Sequence, residues 1–140
     1  MNEFTFDDIL SGKVNKQSFS VTISQSMMND FFKITGDTNP MHIDSEYAKT
    51  NGFSSCLVYG LLTTSFYSTL AGVYLPGKYC LLQEVSAQFA KPVFIGDTLT
   101  VSGKVREVQE TFKRIIIQAR ITNQNGKTVN RATITAGVLK

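Results

Sequence analysis

From residue 50 to residue 77 the chain carries no charged side chain, and this stretch constrains its fold more than any other feature. Lys49 and Lys78 bound it. Such a stretch either crosses a membrane or is buried by the rest of a domain. A crossing helix needs about 20 consecutive, mostly apolar residues. Here Ser54, Ser55, Thr63, Thr64, Ser65, Ser68 and Thr69 interrupt the run, and Pro76 and Gly77 end it. The expectation is a helix over about residues 58–73, buried on nearly every side inside a soluble domain, with no membrane partner.

The flanking sequence supplies the cover. Phe19, Val21 and Ile23 alternate with polar residues, as a half-buried strand does. Ser24 or Ser26 is placed to cap a helix reaching about residue 34. Its apolar stripe is Met28, Phe31, Phe32 and Thr35, and Gly36 stops it. Asp44 or Ser45 looks like the cap of a short second helix, with Glu46 in its first turn and Gly52 as its stop. After Gly77 the period changes to two. Val85, Ala87 and Phe89 form one face, and Leu99, Val101 and Val105 the next. Ile115, Ile117, Ala119 and Ile121 oppose Arg114, Gln118 and Arg120, and a last strand carries Ala132, Ile134, Ala136 and Val138. Pro92 interrupts pairing, Gly96-Asp97 turns the chain, and Asn125-Gly126 is a strong hairpin signal.

A strand, then helices, then four consecutive strands argue the α+β class. A curved antiparallel sheet wrapped around the long helix would cover it. With 140 residues, 42% of them hydrophobic and 18% charged, the chain suits one globular domain spanning residues 1–140. The formal net charge is only +3, without a dense Lys/Arg run, so no nucleic-acid partner is expected. Cys56 and Cys80 lie far apart with no CxxC pattern, and there is one His, which argues against a zinc or other metal site. Both cysteines are expected to act as small buried hydrophobes in a reducing compartment. The segment Met1-Asn2-Glu3-Phe4-Thr5 is acidic and lacks an apolar core, so no signal peptide and a cytoplasmic location are expected.

Residues 36–44 join the two shorter helices and hold Asp37, Asn39, the only His of the chain and Asp44. Pro40 fixes one backbone angle and restricts Asn39 before it, while Gly36 permits a sharp exit from the helix. The result is a stiff loop presenting a carboxylate and an imidazole. Imidazole suits proton transfer near neutral pH, and a carboxylate beside it holds a water or orients the ring. Taken alone, the run reads more simply as a turn with a satisfied His, because Asp and Asn bond to their own backbone in turns. Asp44 reads as a helix cap.

Longer patterns change that reading. Phe32-Lys33-Ile34-Thr35-Gly36-Asp37-Thr38-Asn39-Pro40-Met41-His42, with Ala48 beyond it, resembles the hydratase-2 motif of the MaoC-like (R)-specific enoyl-CoA hydratases. Further segments agree in register: residues 53–68 with Gly60-Leu61-Leu62, then Tyr74-Leu75-Pro76-Gly77, then Phe89-Ala90-Lys91-Pro92-Val93-Phe94-Ile95-Gly96-Asp97. The similarity covers essentially the whole chain. It implies a single hot-dog domain, a homodimer, and reversible addition of water to a trans-2-enoyl thioester to give the (R)-3-hydroxyacyl thioester. It implies Asp37 and His42 as the catalytic pair, Asp37 as the base and His42 as the partner in proton delivery. It implies the Gly60 amide as the donor to the developing oxyanion, a task for which a helix N-terminus is apt.

Asn39 stands where it bonds the catalytic loop or the substrate, or simply precedes Pro40 in a turn. Ser68 matches a Ser near the acyl pocket, or is a hydroxyl bonded to the turn before it. Tyr59 replaces the His that usually precedes the matching Gly, which alters the oxyanion side. Met41 replaces a branched aliphatic. Coenzyme A enters as part of the substrate, its phosphates drawn by the weak positive field, and no separate cofactor is implied. Competing readings keep the fold. They are a 3-hydroxyacyl-acyl-carrier-protein dehydratase, a thioesterase (disfavoured by the Asp-x-Asn-Pro-x-His run), and a non-catalytic acyl-CoA-binding hot-dog protein.

Overall fold

The charge-free stretch does become the central helix, close to the span its pattern predicts. In the computed structural model, which describes residues 1–140, the helix α5 spans Gly60–Thr69 and runs on into a wider π turn, Leu70–Tyr74. Before it come α1 (Phe6–Leu10), β1 (Lys16–Thr22), α2 (Gln25–Thr35), α3 (Pro40–Ile43) and α4 (Ser45–Thr50). After it come β2 (Cys80–Phe89), β3 (Thr98–Gln109), β4 (Arg114–Thr122) and β5 (Thr128–Val138).

The strands form one antiparallel sheet in the order β1-β3-β4-β5-β2. Period-two alternation puts Leu99, Val101, Ile115, Ile117, Ile121, Ile134 and Ala136 on the inner face, all of them fully buried. Tyr67, Leu70, Ala71 and Leu75 meet them from the helix side and are equally buried. Burying each such aliphatic side chain stabilises the fold by about 1.5–3 kcal/mol. The closest approach is at Gly103, where a Cβ would stand 2.8 Å from both Leu70 Cδ2 and Ile117 Cγ2. Polar groups under the sheet are paired: the Tyr67 hydroxyl donates to Asn130 Oδ1 at 3.1 Å, and Asn130 Nδ2 donates to Thr64 Oγ1 at 3.0 Å.

Three expectations need correcting. The helix is not buried on nearly every side, because the sheet wraps only one flank and leaves Leu61, Ser65 and Ser68 exposed in a row. The four later strands form an antiparallel sheet, as expected, with β3 beside β4 and β4 beside β5. β2 joins β5 at the sheet edge, and residues 90–97 carry the chain back across to β3. Cys56 and Cys80 are free thiols but only half-buried. A short helix, α1, precedes β1, closed by a capping box in which Thr5 and Asp8 bond each other's backbone. No helix is long and apolar enough to cross a membrane.

Candidate active site

The layer opposite the sheet is built by short-range polar bonds. Ser24 caps α2, and Gly36 ends it in the left-handed conformation at φ 68°. The chain then turns on its own side chains. Asp37 Oδ1 accepts from the Asn39 N–H at 3.0 Å, and Asn39 Oδ1 accepts from the Met41 N–H at 3.0 Å. Asn39 is thus the N-cap of α3, with Pro40 at its first position. This one turn of helix aims His42. Asp44 in turn caps α4, accepting from the Glu46 and Tyr47 amides.

A short extended segment fixes the imidazole. The Leu57 N–H donates to the Met41 carbonyl at 3.0 Å, and the Leu57 carbonyl lies 2.8 Å from His42 Nδ1. A carbonyl only accepts, so Nδ1 carries the proton of that bond. In the neutral ring Nε2 is then the nitrogen with a free lone pair. Val58 extends the segment by donating to the Val93 carbonyl at 2.8 Å.

Tyr59 joins the parts. Its hydroxyl donates to the Asp37 carbonyl at 2.8 Å, and its ring lies against His42, with centroids 4.2 Å apart. Phe31 packs on its other side at 4.8 Å. Burial first, and then the charge of Asp37, push the Tyr59 hydroxyl above its ordinary pKa, so it stays a donor. Tyr59 also occupies the N-cap of α5 without capping it. The amides of Gly60 and Leu61 therefore make no hydrogen bond within the chain. At Gly60 a Cβ would come within 2.8 Å of the Phe89 ring, so glycine keeps that approach open.

Asp37, His42, Tyr59 and Gly60 line one cavity of about 530 Å³, with Phe53, Leu57, Phe89, Val93 and Val129 among its apolar walls. A second cavity of about 690 Å³ is also bordered by His42 and Tyr59. It reaches neither Asp37 nor Gly60, so the first is the candidate site. Asn39 does not reach that cavity and serves as turn and cap. Ser68 is exposed on the outer row of α5, also away from it. Sequence reasoning missed the Leu57 carbonyl, which carries no side-chain signal, and the wall supplied by Lys91 and Val129. No group of three or more His, Cys, Asp or Glu side chains is placed to hold a metal ion.

This arrangement offers a carboxylate, an imidazole nitrogen and open amides around one apolar space. A sequence profile described as a MaoC like domain matches residues 9–127. The chain is 37% identical over 97 residues to an (R)-specific enoyl-CoA hydratase of Rhodospirillum rubrum, a match spanning 69% of this chain and 66% of that protein. It is 33% identical over 120 residues to a mitochondrial 3-hydroxyacyl-acyl-carrier-protein dehydratase of Solanum lycopersicum, spanning 86% of this chain and 67% of that protein. Among solved structures, R-hydratase PhaJ1 of Pseudomonas aeruginosa superposes with a TM-score of 0.89 at 26% identity, over 99% of this chain and 87% of that one.

Proposed function

The chain belongs to the MaoC-like domain family, with its hot-dog fold, and from that premise we propose that it is a hydro-lyase acting on acyl thioesters. It adds water reversibly to trans-2-enoyl-CoA and forms (R)-3-hydroxyacyl-CoA. The observation that carries this reading is the single apolar cavity shared by Asp37, His42 and the open amide of Gly60.

Hydration of the double bond needs water held over C3, a proton for C2 and stabilisation of charge on the thioester oxygen. The Asp37 carboxylate and His42 Nε2 are both acceptors in the neutral-ring tautomer, so the attacking water donates to both. No protonated acid then stands in the pair. The proton that water loses as its oxygen bonds C3 is therefore the one delivered to C2. Each positioned acid–base group contributes about 10²–10⁴-fold to such a step. The Gly60 N–H donates to the thioester oxygen as charge builds there, favoured by the helix N-terminus. The apolar walls take the acyl chain.

Coenzyme A is part of the substrate in this reading, and no other cofactor is invoked. The enzyme works in the cytoplasm as a homodimer. Pairing through β2 is favoured because that strand is a sheet edge exposing Leu81, Leu82 and Phe89. A second reading keeps the chemistry and places the thioester on an acyl carrier protein, as the Solanum lycopersicum relative's name has it. A cationic face of the sheet favours it, described below.

The test is the loss of absorbance of trans-2-enoyl-CoA substrates of several chain lengths, with chiral analysis of the product. Turnover to the (R)-3-hydroxyacyl product is expected. An (S) product, or no turnover at any length, would overturn the proposal.

A further inference from the structure

The outer face of the sheet, turned away from α5, gathers cations without a carboxylate among them. Lys16 on β1 stands directly opposite Lys104 on β3. Arg120 on β4 stands directly opposite Arg131 on β5. The two pairs adjoin, because Lys104 faces Gln118 and Ser102 faces Arg120 across the β3–β4 ladder. With Thr128 these residues line a basin of about 490 Å³ whose one apolar side chain is Ala119. All four cations are exposed, and none enters a salt bridge; the chain's ion pairs are Lys13–Asp8, Lys49–Glu46 and Lys78–Glu3.

Like charges directly opposite across an antiparallel ladder destabilise a sheet. Two such pairs side by side, with no internal counter-charge, are a cost that a bound anion removes. Strands lie about 4.8 Å apart, so the basin extends roughly 14 Å from β1 to β5. That width fits several anionic groups on one surface rather than a single phosphate. No exposed apolar side chain in the basin would enter a lipid layer, and no aromatic ring there would stack on a base. The occupant favoured by these features is an acidic protein face.

The basin and the active-site cavity are neighbours along β5, where Thr128 lines the one and Val129 the other. Lys91 also lines the cavity, and its N–H donates to the Val129 carbonyl at 3.3 Å. Lys91 thus brings one cationic residue to the cavity wall, beside the end of β5 whose next residues border the basin. We propose that this basin docks an acidic acyl carrier protein, whose thioester arm passes Lys91 to reach Asp37 and His42. The proposal rests on the hydro-lyase reading and adds a carrier protein, beside coenzyme A, as a source of the thioester.

The test compares one enoyl group carried on coenzyme A and on a carrier protein, in the parent and in Lys104→Glu/Arg120→Glu. Both substitutions turn a like-charge pair into an opposite-charge pair, facing Lys16 and Arg131, so the variant is expected to melt no lower than the parent. Its kcat/KM on the carrier-bound substrate should fall at least about tenfold, while that on the CoA substrate should stay within about twofold. Lys113→Glu/Lys140→Glu makes the same change in net charge at the opposite ends of β4 and β5, and should leave the ratio of the two substrates unchanged. A ratio unaffected by the basin variant, or shifted equally by both variants, overturns the proposal. Titration of the parent and the basin variant with the loaded carrier protein measures docking without turnover. Equal binding by the two also overturns it, and a loss of binding supports it even if neither substrate is hydrated, an outcome that would refute the hydro-lyase reading alone.

Discussion

The sheet and the helical layer facing it are held together by different physics. β4 alone buries Ile115, Ile116, Ile117, Ala119 and Ile121. In the layer above, α2 buries only Met28, α4 only Ala48, and α3 nothing. Yet Asp37 and His42 both sit in that thin layer. It is held by Asp37 and Asn39 bonding their own turn, by the Leu57 carbonyl on His42, and by the Tyr59 hydroxyl on Asp37. Each such bond contributes about 0.5–1.5 kcal/mol net, a fraction of what a buried Ile or Leu contributes. Stability therefore resides in the sheet and geometry in the loop, and substitutions should separate the two.

The largest separation is expected at Asp37 and His42. Both are only half-buried, and neither belongs to the apolar core. Asp37→Asn and His42→Ala should each lower enoyl-CoA hydration by about 10²–10⁴-fold. Their thermal midpoints should stay close to the parent's. Parent-like turnover in either variant would break the comparison at its strongest point.

The reverse effect is expected at Ile134, fully buried opposite Ile117 on β4 and Val85 on β2. Ile134→Ala should cost about 2–5 kcal/mol in urea unfolding, through lost burial and the cavity left behind. The folded fraction should hydrate substrate at nearly the parent rate.

Tyr59 tests the boundary between the two regions, because it is buried like a core residue but bonds like a loop residue. Tyr59→Phe keeps the ring against His42 and removes only the bond to the Asp37 carbonyl. The loss should be about 1 kcal/mol of positioning, read as a several-fold fall in kcat with KM little changed. A fall in stability with no change in kcat would place Tyr59 with the sheet instead.

What was legible beforehand follows the same division. Strands β2 to β5 were readable because burial imposes a period of two, and the turn at residues 36–42 because Gly, Asp, Asn and Pro act on their own neighbours. The Tyr59–Asp37 bond joins residues 22 positions apart and leaves no period. The sequence therefore showed Tyr59 only as a departure from a pattern. Pairing of β2 with β5 was hidden for a related reason: alternation shows which face of a strand is buried, not which strand lies beside it. The exposed row of Leu61, Ser65 and Ser68 escaped notice because a charge-free helix looks the same whether or not every side is covered.

The smallest expected effect lies far from the cavity, at the start of the chain. The Lys13 ammonium lies 2.8 Å from the Asp8 carboxylate. Together with the Thr5 amide and hydroxyl it lowers the Asp8 pKa from 3.8 to about 2. The folded chain thus takes up this proton at lower pH than the unfolded chain does. The contribution to stability is complete above pH 3.8 and is lost as pH falls toward about 2. Asp8→Asn should flatten the acid limb of a stability–pH curve in that window, measured by urea unfolding at successive pH values. The substitution should leave hydration at neutral pH unchanged, because α1 touches the sheet end and not the loop: its Phe6 N–H donates to the Lys140 carbonyl. An altered rate at neutral pH would mean that the layer carrying Asp37 and His42 is coupled to the sheet body more tightly than its few apolar contacts provide.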